Sequence, residues 1–279
     1  MKINKTWFLA LILTVGMLQT VSAETENPGK IESLEPQTLQ ESYHRFESLY
    51  QVSRLQSLQN NEKSTLQSLV LMGDVVLTPQ VSLLLDLPMV TFNGSAALTN
   101  PFLGAKVSLF DGLVKDFPTF VNFKGGVKFP LASSQEFVFN RTDVLFSFQT
   151  LREIHHLSLK TDAAYTVKID PENDKTYGNA WSFKVGSELN TGYHFSPGFM
   201  LNYRWAGRHQ DKGVEYASRS AMILQPTFSY TPGADTLLQG SFAFPLSRQN
   251  LKDTLRVFGD YTIAGIGGPT FYLSFEKKF

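Results

Sequence analysis

The feature that most constrains this chain is an alternation of apolar and polar residues that continues for about ten residues at a time. In the stretch AWSFKVGSELNTGYHF, Trp181, Phe183 and Val185 fall on one face, and Lys184 and Glu188 fall on the other. Turns rich in Pro, Gly, Asn and Asp separate this run from similar runs along the chain. A period of two predicts β-strands that each carry one apolar and one polar face.

The length of these runs distinguishes two kinds of all-β protein. Strands of a sandwich in water are mostly about five or six residues long and turn their polar face outward. A strand that crosses an outer membrane needs about 9 to 11 residues, and its apolar face meets lipid. Because every backbone N–H and C=O must be paired in hydrocarbon, such a sheet has to close on itself. We therefore predict an all-β chain whose residues 43–279 form a transmembrane antiparallel up-and-down β-barrel of the outer-membrane type.

The N-terminus predicts export. Lys2 and Lys5 precede the apolar run WFLALILTVGML and the small residues VSA, which is the pattern of a secretory signal peptide over residues 1–23. Residues 24–42 contain several Glu and Pro, and we expect a flexible periplasmic tail there. No later stretch approaches the roughly 18 uninterrupted apolar residues of a helical membrane span. The expected location is the outer membrane of the cell.

Counting the runs gives about twelve strands, whose connections alternate in length. The candidate strands are 43–57, 64–78, 80–90, 100–111, 118–130, 141–150, 155–169, 179–195, 198–209, 219–231, 235–246 and 269–279. The connections VLTPQV, QTLREIHH, HFSPGF and YTPGAD are short, whereas PLASSQEFVFN, DPENDKTYGN and GRHQDKGVEYASRS are longer, polar and of the opposite parity. Outer-membrane barrels have tight periplasmic turns and longer external loops, so this parity places both chain ends on the periplasmic side.

Two regions allow more than one interpretation. The leucines of region 31–72 would also suit an amphipathic helix that lies in the periplasm or plugs the pore. We prefer a β-hairpin there, because Asn60 and Asn61 supply a turn and the strand parity then closes. Segment 248–268 is long for a loop, and we interpret it as an external excursion or as extensions of the last two strands.

The C-terminus ends in the alternating run TFYLSFEKKF. Its residues Phe271, Leu273, Phe275 and Phe279 are expected to face lipid, and the aromatic last residue resembles the signature by which outer-membrane proteins are recognised for assembly. The resemblance implies the barrel-assembly machinery as a partner. Lys277 departs from the signature, which usually has an apolar residue there, although near the interface a lysine can extend its ammonium toward water.

The order of four segments carries a narrower resemblance. LTPQVSLLLDLPMV, LTNPFLGAKVSLF, GGVKFPLASS and TDVLFSF follow one another, with a strand that ends near Pro, then a Gly-containing strand, then a Lys-x-Pro strand. This order resembles the outer-membrane channel family assigned to transport in the phenol-degradation meta pathway. The resemblance implies a passive conduit for small molecules, with hydrophobic ones among the candidates, and it does not identify a permeant.

The polar faces of the predicted strands should line the barrel lumen. The expected lumen-lining residues are Lys106, Lys124, Lys128, Lys160, Asp162, Lys168, Lys184, Glu188 and Arg204, with Asp86 and Glu276 as further acids. This mildly basic set would give a pore a weak preference for anions. Alternatively the charges pair across strands and fill the narrow lumen, which is the interpretation we prefer. The apolar Leu84, Phe120 and Leu145 fall on the same face, so the lumen is expected to be partly apolar.

Catalysis, metals and cofactors find little support in the sequence. The chain has no Cys, no phosphate-binding Gly-rich loop and no group of His residues at the spacing of metal ligands. His209 and Asp211 share one face at the external rim, and we interpret them as part of a solvated loop rather than as a hydrolytic pair. Since 25 Lys and Arg balance 25 Asp and Glu, no nucleic-acid partner is indicated.

The function predicted from the sequence is passage of small molecules through an outer-membrane barrel, with membrane lipid as its surroundings, no cofactor and no enzymatic activity. The alternative is a structural or surface-interaction barrel with a closed lumen. A lipid hydrolase active at the membrane rim is the third interpretation.

Overall fold

A computed structural model describes residues 44–56, 63–92, 94–114, 117–131, 141–169, 175–191, 194–211, 213–246 and 268–279. The expected signal peptide over residues 1–23, the expected tail over 24–42 and the turn at Asn60 and Asn61 lie outside the described residues. All but Gly268 of segment 248–268 lies outside them too.

The described part of the chain contains sixteen strands. They are β1 (Arg45–Gln56), β2 (Lys63–Thr78), β3 (Val81–Phe92), β4 (Ser95–Leu98), β5 (Phe102–Val114), β6 (Phe117–Lys128), β7 (Thr142–Ile154), β8 (Leu157–Ile169), β9 (Lys175–Thr176), β10 (Ala180–Leu189), β11 (Phe195–Ala206), β12 (His209–Asp211), β13 (Val214–Tyr216), β14 (Arg219–Gly233), β15 (Thr236–Pro245) and β16 (Thr270–Lys278). No helix among these residues is long and apolar enough to cross a membrane.

Twelve of the strands form a closed antiparallel barrel. The pairing runs β1-β2-β3-β5-β6-β7-β8-β10-β11-β14-β15-β16, and β16 pairs with β1 to close the ring. At the seam the register runs from Arg45 opposite Lys278 to Ser53 opposite Thr270. The predicted fold class and the predicted number of membrane strands are therefore confirmed.

The alternation of each strand separates lipid from lumen. On β10, the outward Trp181 and Phe183 are 54% and 50% exposed, whereas Lys184, the next residue, points into the barrel, where it lines an interior cavity. The same alternation continues on β8 and β11, which flank β10 in register. Large apolar side chains therefore cover the outside of the barrel, as a sheet in hydrocarbon requires.

The connections divide the barrel into two ends. Strands β2 and β3, β7 and β8, and β14 and β15 are joined by two-residue turns, which define the tight-turn end. His155 adopts a positive φ of 54° in the β7–β8 turn. The short connection that the sequence predicted between these two strands is confirmed. The other end, the long-loop end, carries the longer connections. The first residue of β1 and the last residue of β16 both lie at the tight-turn end. There the Phe279 amide donates to the His44 carbonyl at 2.9 Å.

Region 31–72 forms a β-hairpin as far as it is described, not a helix. Strands β1 and β2 pair without interruption from Arg45 opposite Asp74 to Gln56 opposite Lys63.

Several predicted boundaries were wrong by a few residues. Strand β7 continues to Ile154, four residues past its predicted end at 150. The consecutive charged residues Arg152 and Glu153 interrupt the alternation, so the sequence pattern ended before the strand does.

The connection between β10 and β11 was placed wrongly. Pro197 and Gly198 suggested a turn, but both belong to β11 and pair with β14, and β10 ends at Leu189 rather than at 195. Gly198 allows β10 and β11 to approach closely, because a Cβ there would lie 2.6 Å from the Ser187 carbonyl oxygen. The glycine therefore serves strand packing rather than a turn.

Two features were not predicted. The predicted strand 100–111 is preceded by β4, so β3 pairs with β5 along Val81–Asp86 and with β4 along Met89–Phe92. Pro101 lies in the gap between β4 and β5, where it has no N–H for the ladder. In addition, the connections predicted to be loops contain β9, β12 and β13, which form a separate three-stranded sheet at the long-loop end.

The last strand joins the two ends of the chain. On its outer face the Phe271 ring lies 5.0 Å from the Phe242 ring of β15, and Phe279 is exposed. Lys277 forms a hydrogen-bonded ion pair with Asp235 in the β14–β15 turn. The hydrogen bond from Lys277 holds the pKa of the Asp235 carboxyl below its ordinary value. The departure from the assembly signature at Lys277 thus has a structural partner at the tight-turn end.

A pair of glycines shapes the inner wall. The Phe102 ring lies over Gly104 and Gly126, so that a Cβ on either glycine would lie 2.5 Å from the ring atom Cζ. A Cβ on Gly126 would also lie 2.6 Å from the Gly104 Cα and from the Leu103 carbonyl oxygen. The two glycines therefore make room for an aromatic ring that lies flat against β5 and β6.

We expect Gly126→Ala to destabilise the barrel by about 1–3 kcal/mol, because the added methyl group overpacks against ring and backbone. The measurement is the temperature at which the folded, fast-migrating band disappears in electrophoresis. Gly73→Ala is the matched control, since its Cβ would have 3.9 Å to its nearest neighbour. Equal unfolding temperatures for the two variants would contradict this account of Gly126.

Candidate functional site

The barrel encloses two cavities that meet. The outer cavity has a volume of about 440 Å³ and is lined by residues from ten of the twelve barrel strands, so it lies inside the barrel. The inner cavity measures about 330 Å³. Four residues line both: Gln149, Asp162, Lys184 and Met200. The two cavities therefore adjoin at these four side chains.

The structure distributes the expected lumen residues over this space. Lining the outer cavity are Lys124, Lys128, Asp162, Lys168, Lys184 and Arg204. Lys160 lines the inner cavity, and Glu188 lines a third cavity of about 60 Å³ that Lys160 also reaches. Lys106 lines none of these three and is paired instead with an acid on β2.

The shared boundary of the two cavities is held by an ion pair. The Lys184 ammonium of β10 lies 3.0 Å from Asp162 Oδ2 of β8, directly opposite in register. The Ser147 hydroxyl of β7 donates to Asp162 Oδ1 at 2.8 Å. Three neighbouring strands thus contribute to one polar crosslink beside the boundary of the two cavities.

Further pairs line the wall toward the tight-turn end. Lys160 on β8 lies 2.7 Å from Glu188 on β10. On the opposite wall, Asp74 is 3% exposed and accepts from Lys106 at 2.6 Å and from Arg45 at 3.4 Å. Charges that face the lumen are thus largely matched across strands, which reduces the cost of removing them from water.

The sequence interpretation missed Asp74 and Asp143, two acids of this interior. Each is followed by an outward apolar residue, Val75 after Asp74 and Val144 after Asp143, so the alternation contained part of the signal. Adding them reduces the basic excess that the sequence suggested for the whole lumen. The outer cavity alone keeps five bases against three acids among its lining residues.

Apolar residues interrupt the polar wall. Leu145 and Phe102 line the outer cavity, while Leu84 and Phe120 are 5% and 3% exposed. The Lys124 ammonium lies 5.1 Å from the centre of the Phe102 ring. The interior is therefore amphipathic, with an aromatic group directly beneath a cation.

At the long-loop end, a buried arginine joins the barrel to the three-stranded sheet of β9, β12 and β13. Arg141 is 1% exposed and donates to both Asp143 carboxylate oxygens, at 2.7 and 3.0 Å. Its guanidinium lies 4.4 Å from the centre of the Tyr177 ring, just after β9. Since Asp143 also lines the outer cavity, this arginine connects the cavity wall to the external segments.

His209 belongs to the same cluster, and its interpretation as part of a solvated loop was wrong. It is 2% exposed and stacks against Tyr177, with ring centres 4.2 Å apart, and against Tyr216, at 5.4 Å. Its Nδ1 lies 3.1 Å from the Thr176 carbonyl oxygen. Aromatic neighbours from two other segments, which local sequence could not reveal, exclude water here. The side chain of Asp211 lies outside the described residues.

Metal chemistry has no visible site in the described part of the chain. Among those residues, no group of three or more His, Asp or Glu side chains is arranged to hold a metal ion.

Comparison with known proteins supports the fold. No protein-family model matches the chain, and no curated protein matches it in sequence. Among solved structures, the COG4313 outer membrane channel from Pseudomonas putida F1 superposes with a TM-score of 0.64 and 15% identity, over 91% of this chain and 100% of that one. The chain thus has the fold of an outer-membrane channel barrel.

Two further barrels are more distant. A loop-deletion mutant of OmpT, an outer membrane protein of Vibrio cholerae, has a TM-score of 0.41 and 7% identity, over 85% of this chain and 98% of that one. OmpF of Salmonella typhi in complex with daunomycin has a TM-score of 0.34 and 9% identity, over 85% and 97%.

We expect His209→Ala to loosen the external sheet, because it removes two aromatic contacts worth about 0.5–1.5 kcal/mol each. The measurement is the rate of tryptic cleavage after Arg208, whose side chain is 78% exposed. The rate should rise about tenfold, in line with that energy. The control is His156→Ala in the exposed β7–β8 turn, which should leave cleavage unchanged. An unaltered rate in His209→Ala would mean that the stack does not hold the sheet.

Proposed function

We propose that this protein is a passive conduit for small molecules across the outer membrane. The observation that carries the proposal is the pair of adjoining cavities inside a closed membrane barrel, with Gln149, Asp162, Lys184 and Met200 at their common boundary. A solute that passes from the outer to the inner cavity would move along a path lined by side chains of both charge signs. The similarity in fold to an outer membrane channel supports both the function and the location.

Seven of the nine lumen residues expected from the sequence line the two adjoining cavities and would act as the wall of this conduit, whereas Lys106 and Glu188 do not line them. In the outer cavity, Lys124, Lys128, Lys168, Lys184 and Arg204 outnumber Asp86, Asp143 and Asp162. This excess supports a weak preference for anions, and cross-strand pairing keeps the preference small. Whether hydrophobic molecules pass depends on the apolar part of the wall, to which Phe102 and Leu145 contribute.

Export and assembly belong to the same proposal. Residues 1–23 would direct secretion, and 24–42 would form the periplasmic tail. Phe271, Leu273, Phe275 and Phe279 would present the C-terminal signal to the barrel-assembly machinery. The support for this role is that β16 is one of the two strands at the seam, so its recognition would precede closure.

Two other functions remain weaker alternatives. The interior ion pairs would also suit a closed structural barrel, and the ordered sheet β9-β12-β13 would suit a surface that binds partners. Hydrolysis has no supporting observation, because His209 is stacked between tyrosines and is not open to a substrate. We therefore propose no enzymatic activity.

The test is single-channel recording of the refolded barrel in a planar bilayer under a salt gradient. Discrete current steps with a reversal potential biased toward anions are expected. Lys184→Met removes a cation and frees Asp162, so the anion-to-cation permeability ratio should fall about fivefold, the effect of about 1 kcal/mol for a charge at 4 Å in water.

Arg208→Gln is the control, since this exposed cation lies in an external segment outside the cavities. Its effect should be small and should vanish at high salt. A verified barrel that gives no current would overturn the conduit and favour the closed structural barrel.

A further inference from the structure

Two charged residues of the outer cavity differ from the others. Asp143 is held by Arg141, and Asp162 is held by Lys184. Lys124 and Asp86 also line this cavity, yet no hydrogen bond or ion pair joins either of them to another described residue. Among the residues that the structure describes, the Lys124 ammonium and the Asp86 carboxylate are therefore without a hydrogen bond or ion pair in this cavity.

The strand register explains why these two groups are neighbours but not partners. Asp86 on β3, Phe102 on β5 and Lys128 on β6 lie side by side in one row across the sheet. Lys124 lies four residues before Lys128 on β6, and its ammonium lies over the Phe102 ring. Asp86 and Lys124 act on each other electrostatically, but the ring of Phe102 lies between their strands.

The Phe102 ring fixes this arrangement. It is 2% exposed and lies flat over Gly104 and Gly126, so it cannot move toward the sheet. The Lys124 ammonium covers it at a distance of 5.1 Å from the ring centre. The cation is thus held on the wall by an aromatic face, which attracts it without neutralising its charge.

The charges of Lys124 and Asp86 would act differently on solutes of different charge. A simple anion gains from Lys124 but is repelled by Asp86, and a simple cation meets the reverse situation. A solute that carries both signs satisfies both groups together, because each charge finds its opposite. The volume of the outer cavity, about 440 Å³, leaves room for such a molecule.

We propose that the outer cavity contains a binding point for small zwitterionic solutes, with the solute carboxylate at Lys124 and its cationic nitrogen at Asp86. This deepens the proposed conduit and rests on it, since the binding point would lie on the permeation path. Lys128 and Arg45 also act on Asp86 electrostatically, so the surroundings of Asp86 are basic. A solute that carries only a carboxylate would also be attracted to these bases. The test must therefore separate zwitterions from plain anions.

Three probes of one size make that separation: 4-aminobutanoate, butanoate and butylamine. Each is added to the open channel, and the concentration that interrupts the ion current is measured. We expect 4-aminobutanoate to act at a concentration about tenfold lower than either single-charge analogue, the effect of one additional charge-assisted contact. Equal potency of 4-aminobutanoate and butanoate would overturn the proposal and identify a plain anion site.

Lys124→Met and Asp86→Asn should each abolish the tenfold preference, and Asp86→Asn should in addition improve the binding of butanoate. Lys277→Met and Asp235→Asn make the same chemical changes in an ion pair at the tight-turn end, outside the cavities, and should leave the preference intact. Retention of the preference in both cavity variants would overturn the assignment to these residues.

Calorimetric titration of the same three probes into the folded barrel in detergent separates this proposal from the conduit. Selective heat with 4-aminobutanoate, lost in Lys124→Met, would support the binding point even if no current is observed. Absence of any preference in calorimetry would overturn it even if the channel conducts.

Discussion

Closure of the sheet between β1 and β16 is the constraint on which the rest of the structure depends. The first and last strands of the barrel pair along nine registered positions, from Arg45 opposite Lys278 to Ser53 opposite Thr270. An open edge in hydrocarbon would leave a row of N–H and C=O groups unpaired, at a cost of several kcal/mol each. The pairing is between strands at opposite ends of the chain, so the barrel becomes stable only when the last strand has been added.

Closure also creates an interior that must accommodate every second side chain of twelve strands. The charged ones are matched across neighbouring strands, as in Lys184 with Asp162 and Lys160 with Glu188, because isolated charges in a narrow lumen are poorly solvated. What these side chains leave unfilled is the pair of adjoining cavities. The proposed conduit rests on this unfilled space, and the proposed zwitterion site rests on the two charged groups that have no ion pair among the described residues.

Sequence patterns performed best where one strand carries the whole signal. Alternation on β8 and β10 predicted which side chains face lipid, and the parity of short and long connections predicted the twelve strands and the two ends. Sequence patterns gave the wrong interpretation where a residue makes its main contact with a segment that is distant in the sequence. Gly198 resembled a turn residue but allows a close contact with Ser187, and His209 resembled a loop residue but is covered by Tyr177 and Tyr216 from other segments. Neither contact has a signal within its own segment.

By itself, then, the sequence determined the fold class, the number of membrane strands and the face of each strand, because these follow from a period of two and from the length of the runs. Only the tertiary structure decided which charges meet. Lys106 forms an ion pair with Asp74, which lies 32 residues earlier in the chain. Lys124 and Asp86, in contrast, have no ion pair among the described residues. Such pairing depends on strand register and on the curvature of the closed ring, and the alternation of one strand contains no information on either.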